Sequence, residues 1–193
     1  MTETMPTARD LLLFACFTGT TQAQGMKLRW DDIDFEHKTI KIRAELCQNN
    51  HGYILPMTEF LELLLWRRKS LDSASVYVFP GRYGGHMSSS QRAISMVGKK
   101  IGHPFEMNDL RRGFIAAAAN CGIGQQLIKR LTNHSLSSDM TDSFFRATDD
   151  DLRAAMEKIS EHLIAVMAFD IEDWRSGKNQ RCYWLIHLPS EGL

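Results

Sequence analysis

A mainly α-helical domain with a small antiparallel β-sheet, an α+β fold, is what this sequence predicts, and three observations carry that prediction. Apolar residues recur at helical spacing through most of the chain. The period shortens to two only around residues 30–56. Helix start and stop signals then return repeatedly up to about residue 166. At 193 residues, with 44% hydrophobic and 24% charged side chains, the chain has the length and composition of one globular domain with a substantial core.

The elements follow in order. ARDLLLFACF, residues 8–17, reads as a buried helix that stops near Gly19, and TQAQGMKLRW continues as a shorter helix weakened by Gly25. WDDIDFEHKTIKIRAEL alternates, with Ile33 and Phe35, then Ile40 and Ile42, flanking a polar turn at residues 36–38. That is a hairpin pattern. HGYILPM supplies a third strand, with Pro56 placing it at a sheet edge. Thr58 and Glu59 open the helix EFLELLLWRRKSL, whose basic last turn suits the helix dipole. VYVF is a short extended stretch, and the Gly-rich GRYGG reads as a loop, since it lacks the Lys-Ser/Thr ending of a phosphate loop. The following serines can cap SQRAISMVGKK, which closes at Gly102. Asn108 is the expected N-cap of DLRRGFIAAAANC, closed by Gly122, and QQLIKRLTNH makes a short helix after it. Thr148 opens a helix with acids in its first turn and an apolar stripe at Leu152, Met156, Ile159 and Leu163.

Several function classes fall away on composition. No apolar run approaches the roughly 20 residues of a bilayer span, and no basic-then-apolar leader opens the chain. Cys16, Cys47, Cys121 and Cys182 show no CxxC spacing, and the seven histidines never fall at HxxxH, so neither a disulfide framework nor a zinc site is expected. A reduced, cytoplasmic setting without metal or cofactor is the expectation. Net charge is zero but unevenly placed. Residues 99–134 carry six Lys and Arg against two acids, whereas residues 139–173 carry ten acids against three bases. A basic middle suits phosphate, while the acidic stretch repels a polyanion within about a Debye length. Two oppositely charged solvated faces explain the same pattern without any ligand.

The fragments TG, LRWDDIDF and the later Pro56, then NDLRRGF, LTNH and a downstream aromatic, occur in an order that resembles the catalytic domain of the tyrosine recombinases, the phage integrases. The resemblance covers about residues 8–166. It implies a tyrosine hydroxyl that attacks a DNA phosphodiester and forms a covalent protein–phosphate link, without metal or external energy source. It implies two arginines on the non-bridging oxygens, a strand-turn lysine that protonates the leaving oxygen, and two further positions, usually histidines, for proton transfer. It also leads one to expect a helical DNA-clamping domain ahead of this region.

Carried over one position at a time, the family pattern T-G-x-R-x-x-E-x-x-x-L-x-W, counted back from Trp30 and Leu28, puts Thr21 where the first arginine belongs and Gln24 where the acid belongs. Pro56 points back to Gln48 for the lysine. NDLR keeps the second arginine as Arg111 but has Asn108 for the histidine, and LTNH keeps the later histidine as His134. The nucleophile's place falls on Phe144 in MTDSFFRATDDDLRAAM, where Phe144 and Phe145 are also explained as core anchors. Lost Arg, Lys, His and Tyr groups together imply a catalytically silent domain, since removing one charge-stabilising contact typically costs about two to three orders of magnitude in rate.

Residues 1–169 are therefore expected to form one integrase-like domain, and residues 170–193 a tail that docks in cis or in trans. The first functional expectation is a non-catalytic accessory or regulator of DNA recombination from a mobile genetic element. Arg111, Lys129, Arg130 and His134 would be its DNA-facing side chains. Its partners would be DNA phosphates, another copy, or an active recombinase. Arg112 reads as a surface cation or packing residue instead. Two alternatives stand beside this: an active recombinase whose nucleophile is Tyr183 in the tail, and a protein-interaction module without DNA binding.

Overall fold

The computed structural model describes residues 4–71, 74–134 and 147–167. Its order is α1 (Thr4–Thr18), α2 (Gln22–Met26), β1 (Ile33–Asp34), β2 (Thr39–Ile42), β3 (Tyr53–Pro56), α3 (Glu59–Leu71), α4 (Gln91–Ile101), α5 (Met107–Asn120), α6 (Gln125–Thr132) and α7 (Asp149–Val166), with 3-10 turns at Trp30–Asp32 and Ala44–Leu46. This is the helical fold with a small antiparallel sheet that the sequence predicts.

Helix α1 is the axis of the core. Leu11, Leu13, Phe14 and Ala15 are wholly buried, so apolar side chains leave it on every side, as expected of a helix surrounded by others. It packs on α3 and α5, and also meets α4 and α7. Phe17 stacks on Phe60 of α3 at 4.1 Å between ring centroids, and Phe14 meets Phe79 at 5.5 Å. Asp10, wholly buried, receives Arg9 at 2.6 Å and lies 3.7 Å from the guanidinium of Arg68, tying the first turns of α1 to α3. Burial raises the Asp10 pKa, against the pull of the arginines.

The sheet has the order β1-β2-β3, all antiparallel, with Ile40 opposite Leu55 and Ile42 opposite Tyr53. Ile40 and Ile42 face the core while Lys41 faces solvent, the period-two pattern read from the sequence. Pro56 ends the edge strand opposite Thr39. The extended stretch after α3 pairs back onto residues 28–30: Trp30 N donates to Val76 O at 3.1 Å and Val78 N to Leu28 O at 3.0 Å.

Most caps fall where expected. Thr148 and Asp151 form a reciprocal capping box at the start of α7, and Leu152, Met156, Ile159 and Leu163 are all buried. Gly102 and Gly122 end α4 and α5 with φ of 78° and 70°. Ser89 Oγ accepts from Gln91 N, while Ser90 Oγ accepts from the side chain of Gln22. One cap is corrected. Asn108 is not the N-cap of α5, because the helix begins earlier and Glu106 holds that position, its N–H bonded to the carboxylate of Asp109 at 2.7 Å. Asp109 satisfies an amide upstream of Asn108, so the helical turn forms one step sooner than the Asn signal suggests.

Candidate functional site

The site is organised by Arg111, on the first turns of α5. Its Nη1 donates to Gly19 O and its Nη2 to Thr132 O, each at 2.6 Å. Both acceptors lie at helix C-terminal ends, of α1 and α6, where unpaired carbonyls and the helix dipole attract a cation. The resemblance leads one to expect phosphate as the partner of Arg111; within the chain its donors reach two backbone carbonyls. Gly19 makes the approach feasible. Its φ is +64°, and a Cβ there would stand 2.6 Å from the Phe114 ring of α5. The guanidinium is half-buried, and burial pulls its pKa below the usual value. A guanidinium has five N–H groups, so this one keeps donors beyond the two bound carbonyls.

Thr21 follows directly on the Gly19 corner, and its hydroxyl is a cap. Thr21 Oγ1 accepts from Gln24 N at 3.4 Å, while Thr21 N donates to Gln24 Oε1 at 2.9 Å. The pair is a capping box that starts α2. Gln24 is buried, its Nε2 lying 3.6 Å from Cys47 Sγ and its Oε1 accepting from Tyr53 OH at 3.4 Å. Tyr53 feels the charge of Arg111, yet burial dominates and pushes its hydroxyl well above the usual phenol range. Its hydroxyl therefore stays protonated beside Arg111.

The turn that carries Gln48 reaches the end of α6. Asn49 and Asn133 exchange side-chain amide hydrogen bonds at 3.2 Å, and Asn133 Nδ2 also donates to His51 O at 2.9 Å. Asn133 adopts φ 49°, ψ 35° at the C-cap of α6, and the N–H of His134 returns to Lys129 O at 3.0 Å, closing a Schellman turn. His134 is thus placed by its backbone, with its ring exposed. Gln48 is exposed as well.

These bonds join the chain segments of Thr21, Gln48, Arg111 and His134 around one end of α1. No direct side-chain bond links the four. Asn108 lies one turn before Arg111 on α5 and is exposed. Arg112 pairs with Asp109. Arg130 donates to Ala147 O at 2.8 Å, across to the segment that begins α7. Lys129 is half-buried. Phe144, Phe145, Tyr183 and residues 170–193 lie outside the described residues.

Asn49, Tyr53 and Asn133 belong to this site without having been singled out in it by the sequence, whereas Gln24 was placed there by the family pattern, at the acid's position. The Thr-x-x-Gln spacing of the α2 capping box is a local signal for Gln24. Asn133 just after a helix carries a C-cap signal, but nothing local pairs it with Asn49, 84 residues away.

Comparison with known proteins supplies the family. The sequence pattern of the phage integrase family matches residues 3–150. Prophage integrase IntA of Escherichia coli strain K12 is 26% identical over 94 residues, which is 49% of this chain and 23% of that protein. The chain therefore spans less than a quarter of that relative. The integrase from mycobacterium phage Brujita superposes with a TM-score of 0.61 at 19% identity, covering 80% of this chain and 52% of the other. The XerH site-specific recombinase bound to difH gives 0.59 at 16%, covering 80% and 48%. These two share the fold. With the family pattern covering most of its length, this chain belongs to the phage integrase family.

Proposed function

We propose that this protein is a catalytically silent member of its family, a DNA-associated accessory or regulatory domain without strand-cleaving chemistry. The observation that carries the reading is Thr21: where the family motif has a guanidinium, this chain has a hydroxyl that closes a capping box. The same alignment has an exposed Gln48 for the lysine, an exposed Asn108 for the histidine, and Phe144 at the tyrosine's place in sequence. A phenyl ring has no oxygen to attack phosphorus, so the covalent route is lost outright. The missing cations compound the loss, although such effects do not simply add.

What the scaffold retains is a capacity for phosphate contact. Arg111 keeps unused donors, and Arg130, Lys129 and His134 supply further basic groups near the end of α6. These are modest resources beside the acidic first turn of α7, so the DNA affinity is electrostatic and weak to moderate. A subunit of this kind joins or antagonises active recombinases on DNA.

Electrophoretic mobility shift across a salt series tests the DNA half of the proposal. Binding at low salt that weakens steeply as salt rises is the expected result. No shift even at low salt removes DNA from the reading and leaves a protein-interaction module. Incubation with a pool of nicked duplexes, followed by denaturing electrophoresis, tests the silent half. No covalent adduct is expected. If one forms, Tyr183→Phe decides whether the tail tyrosine supplies the nucleophile.

A further inference from the structure

The most exposed large hydrophobic side chain among the described residues is Tyr83, at 93% of its full accessibility. It stands at the tip of the tight loop spanning residues 81–85. Gly81 N donates to Gly85 O at 3.1 Å, Gly84 N donates to Gly81 O at 3.3 Å, and Pro80 bridges His86. Gly84 and Gly85 take φ of 81° and 68°, conformations that fix the tip and that other residues rarely adopt. The tip is thus held by its own backbone, and the Tyr83 ring is left bare.

Arg82 lies with its guanidinium 5.7 Å from the centre of the Tyr83 ring. At the base of the loop a second set repeats the chemistry: His86 meets the Tyr77 ring edge-on at 5.7 Å, and Arg29 lies 5.5 Å over the same ring. Between Asp72 and Glu106, over residues 73–105, the sequence contains no acidic residue, while it carries Arg82, Arg92, Lys99 and Lys100, the last three exposed on α4. An exposed aromatic paired with a cation, in a stretch free of carboxylates, complements a polyanion that also offers flat apolar faces.

We propose that the Arg82–Tyr83 tip is a nucleic-acid contact in which Tyr83 stacks on an unpaired base and Arg82 neutralises the adjacent phosphate. This rests on the DNA-associated reading above and adds a site separate from Arg111. The pairing of roles follows from the side chains. A base offers its face to an aromatic ring only where it is not stacked in a duplex, and a guanidinium beside that ring reaches the backbone on either side of it. The contact is tolerant of sequence, because every base has such a face.

Two labelled probes of the same sequence separate the possibilities: a blunt duplex and a duplex with a short single-stranded overhang. With the full chain, Tyr83→Ala is expected to weaken the overhang complex by on the order of tenfold. The blunt complex should change less than about twofold, and Tyr83→Phe should match the unsubstituted protein on both probes, since the ring alone carries the stack. Arg82→Ala should lower affinity and flatten the salt dependence by about one phosphate's worth. Circular dichroism of each variant should overlay the parent, as Tyr83 supports no core. If the parent binds the overhang probe and Tyr83→Ala leaves that affinity unchanged, or weakens both probes equally, the stacking assignment is wrong while the DNA reading stands. If the parent binds neither probe, the DNA reading fails and this contact fails with it.

Discussion

The side-chain amides of Asn49 and Asn133 face each other, each donating to the other's oxygen at 3.2 Å. This pair fastens the turn before β3 to the end of α6, and it does so from a residue whose backbone is left-handed, at φ 49°. Two effects are therefore combined at Asn133. Its side chain makes long-range hydrogen bonds, and its short polar chain tolerates the αL conformation better than most.

Substitution separates the two. Asn133→Gly keeps the backbone conformation and removes only the amide bonds, and should destabilise the fold by about 1–2 kcal/mol. Asn133→Ala removes the bonds and adds αL strain, for a total of about 2–3 kcal/mol. Urea denaturation reads both values. Equal values for the two variants would show that backbone strain contributes nothing here.

Arg111 is expected to matter for stability as well as for any ligand. Arg111→Ala strips the donors from Gly19 O and Thr132 O, and hydrogen bonds involving a charged partner contribute about 1.5–3 kcal/mol. For a domain of this size that corresponds to a fall in Tm of roughly 5–10 °C. Arg111→Lys, a point charge without the fork, should recover less than half of it. A melting temperature unchanged by Arg111→Ala would mean the two carbonyl bonds carry no net stability.

Acid sensitivity is expected to run through Asp151. The N–H of Thr148 bonded to its carboxylate holds the Asp151 pKa below the usual value. A carboxyl group with a depressed folded-state pKa stabilises the fold above the unfolded value, about 4, and loses that contribution as pH falls through the folded one. Asp151→Ala, which removes the carboxylate that the Thr148 N–H stabilises, should therefore lower stability at neutral pH and cost progressively less as pH drops below about 4. Asp10 and Glu157, both raised by burial, act in the opposite sense and are untouched by this substitution. The gap between thermal melts of parent and variant should narrow from pH 7 to about pH 3; a constant gap would show that the charge on the carboxylate contributes nothing.

Restoring one oxygen should not restore chemistry. Phe144→Tyr supplies a hydroxyl, but with Thr21, Gln48 and Asn108 at the positions proposed above the developing charge would still lack its usual partners. The expected result is no covalent DNA adduct with nicked duplexes. An adduct from this single substitution would show that Arg111 and His134 suffice, and that the proposed silence rests on Phe144 alone.

Sequence by itself determined the elements whose signals are local. The Thr148 cap, the Leu152, Met156, Ile159 and Leu163 stripe of α7, the alternation around Ile40 and Ile42, and the glycine stops at Gly102 and Gly122 all depend on neighbours within a few residues. The proposed motif positions were likewise read from spacings along the chain. Only the tertiary structure decided what those positions touch. Arg111 meets Gly19 across 92 residues, and Asn49 meets Asn133 across 84. Neither pairing has a local preference to announce it, because a guanidinium or an amide is equally competent toward phosphate, carboxylate or backbone. Which acceptor it meets depends on where helix ends and turns come to rest once the core has packed, as the carbonyls of α1 and α6 do around Arg111.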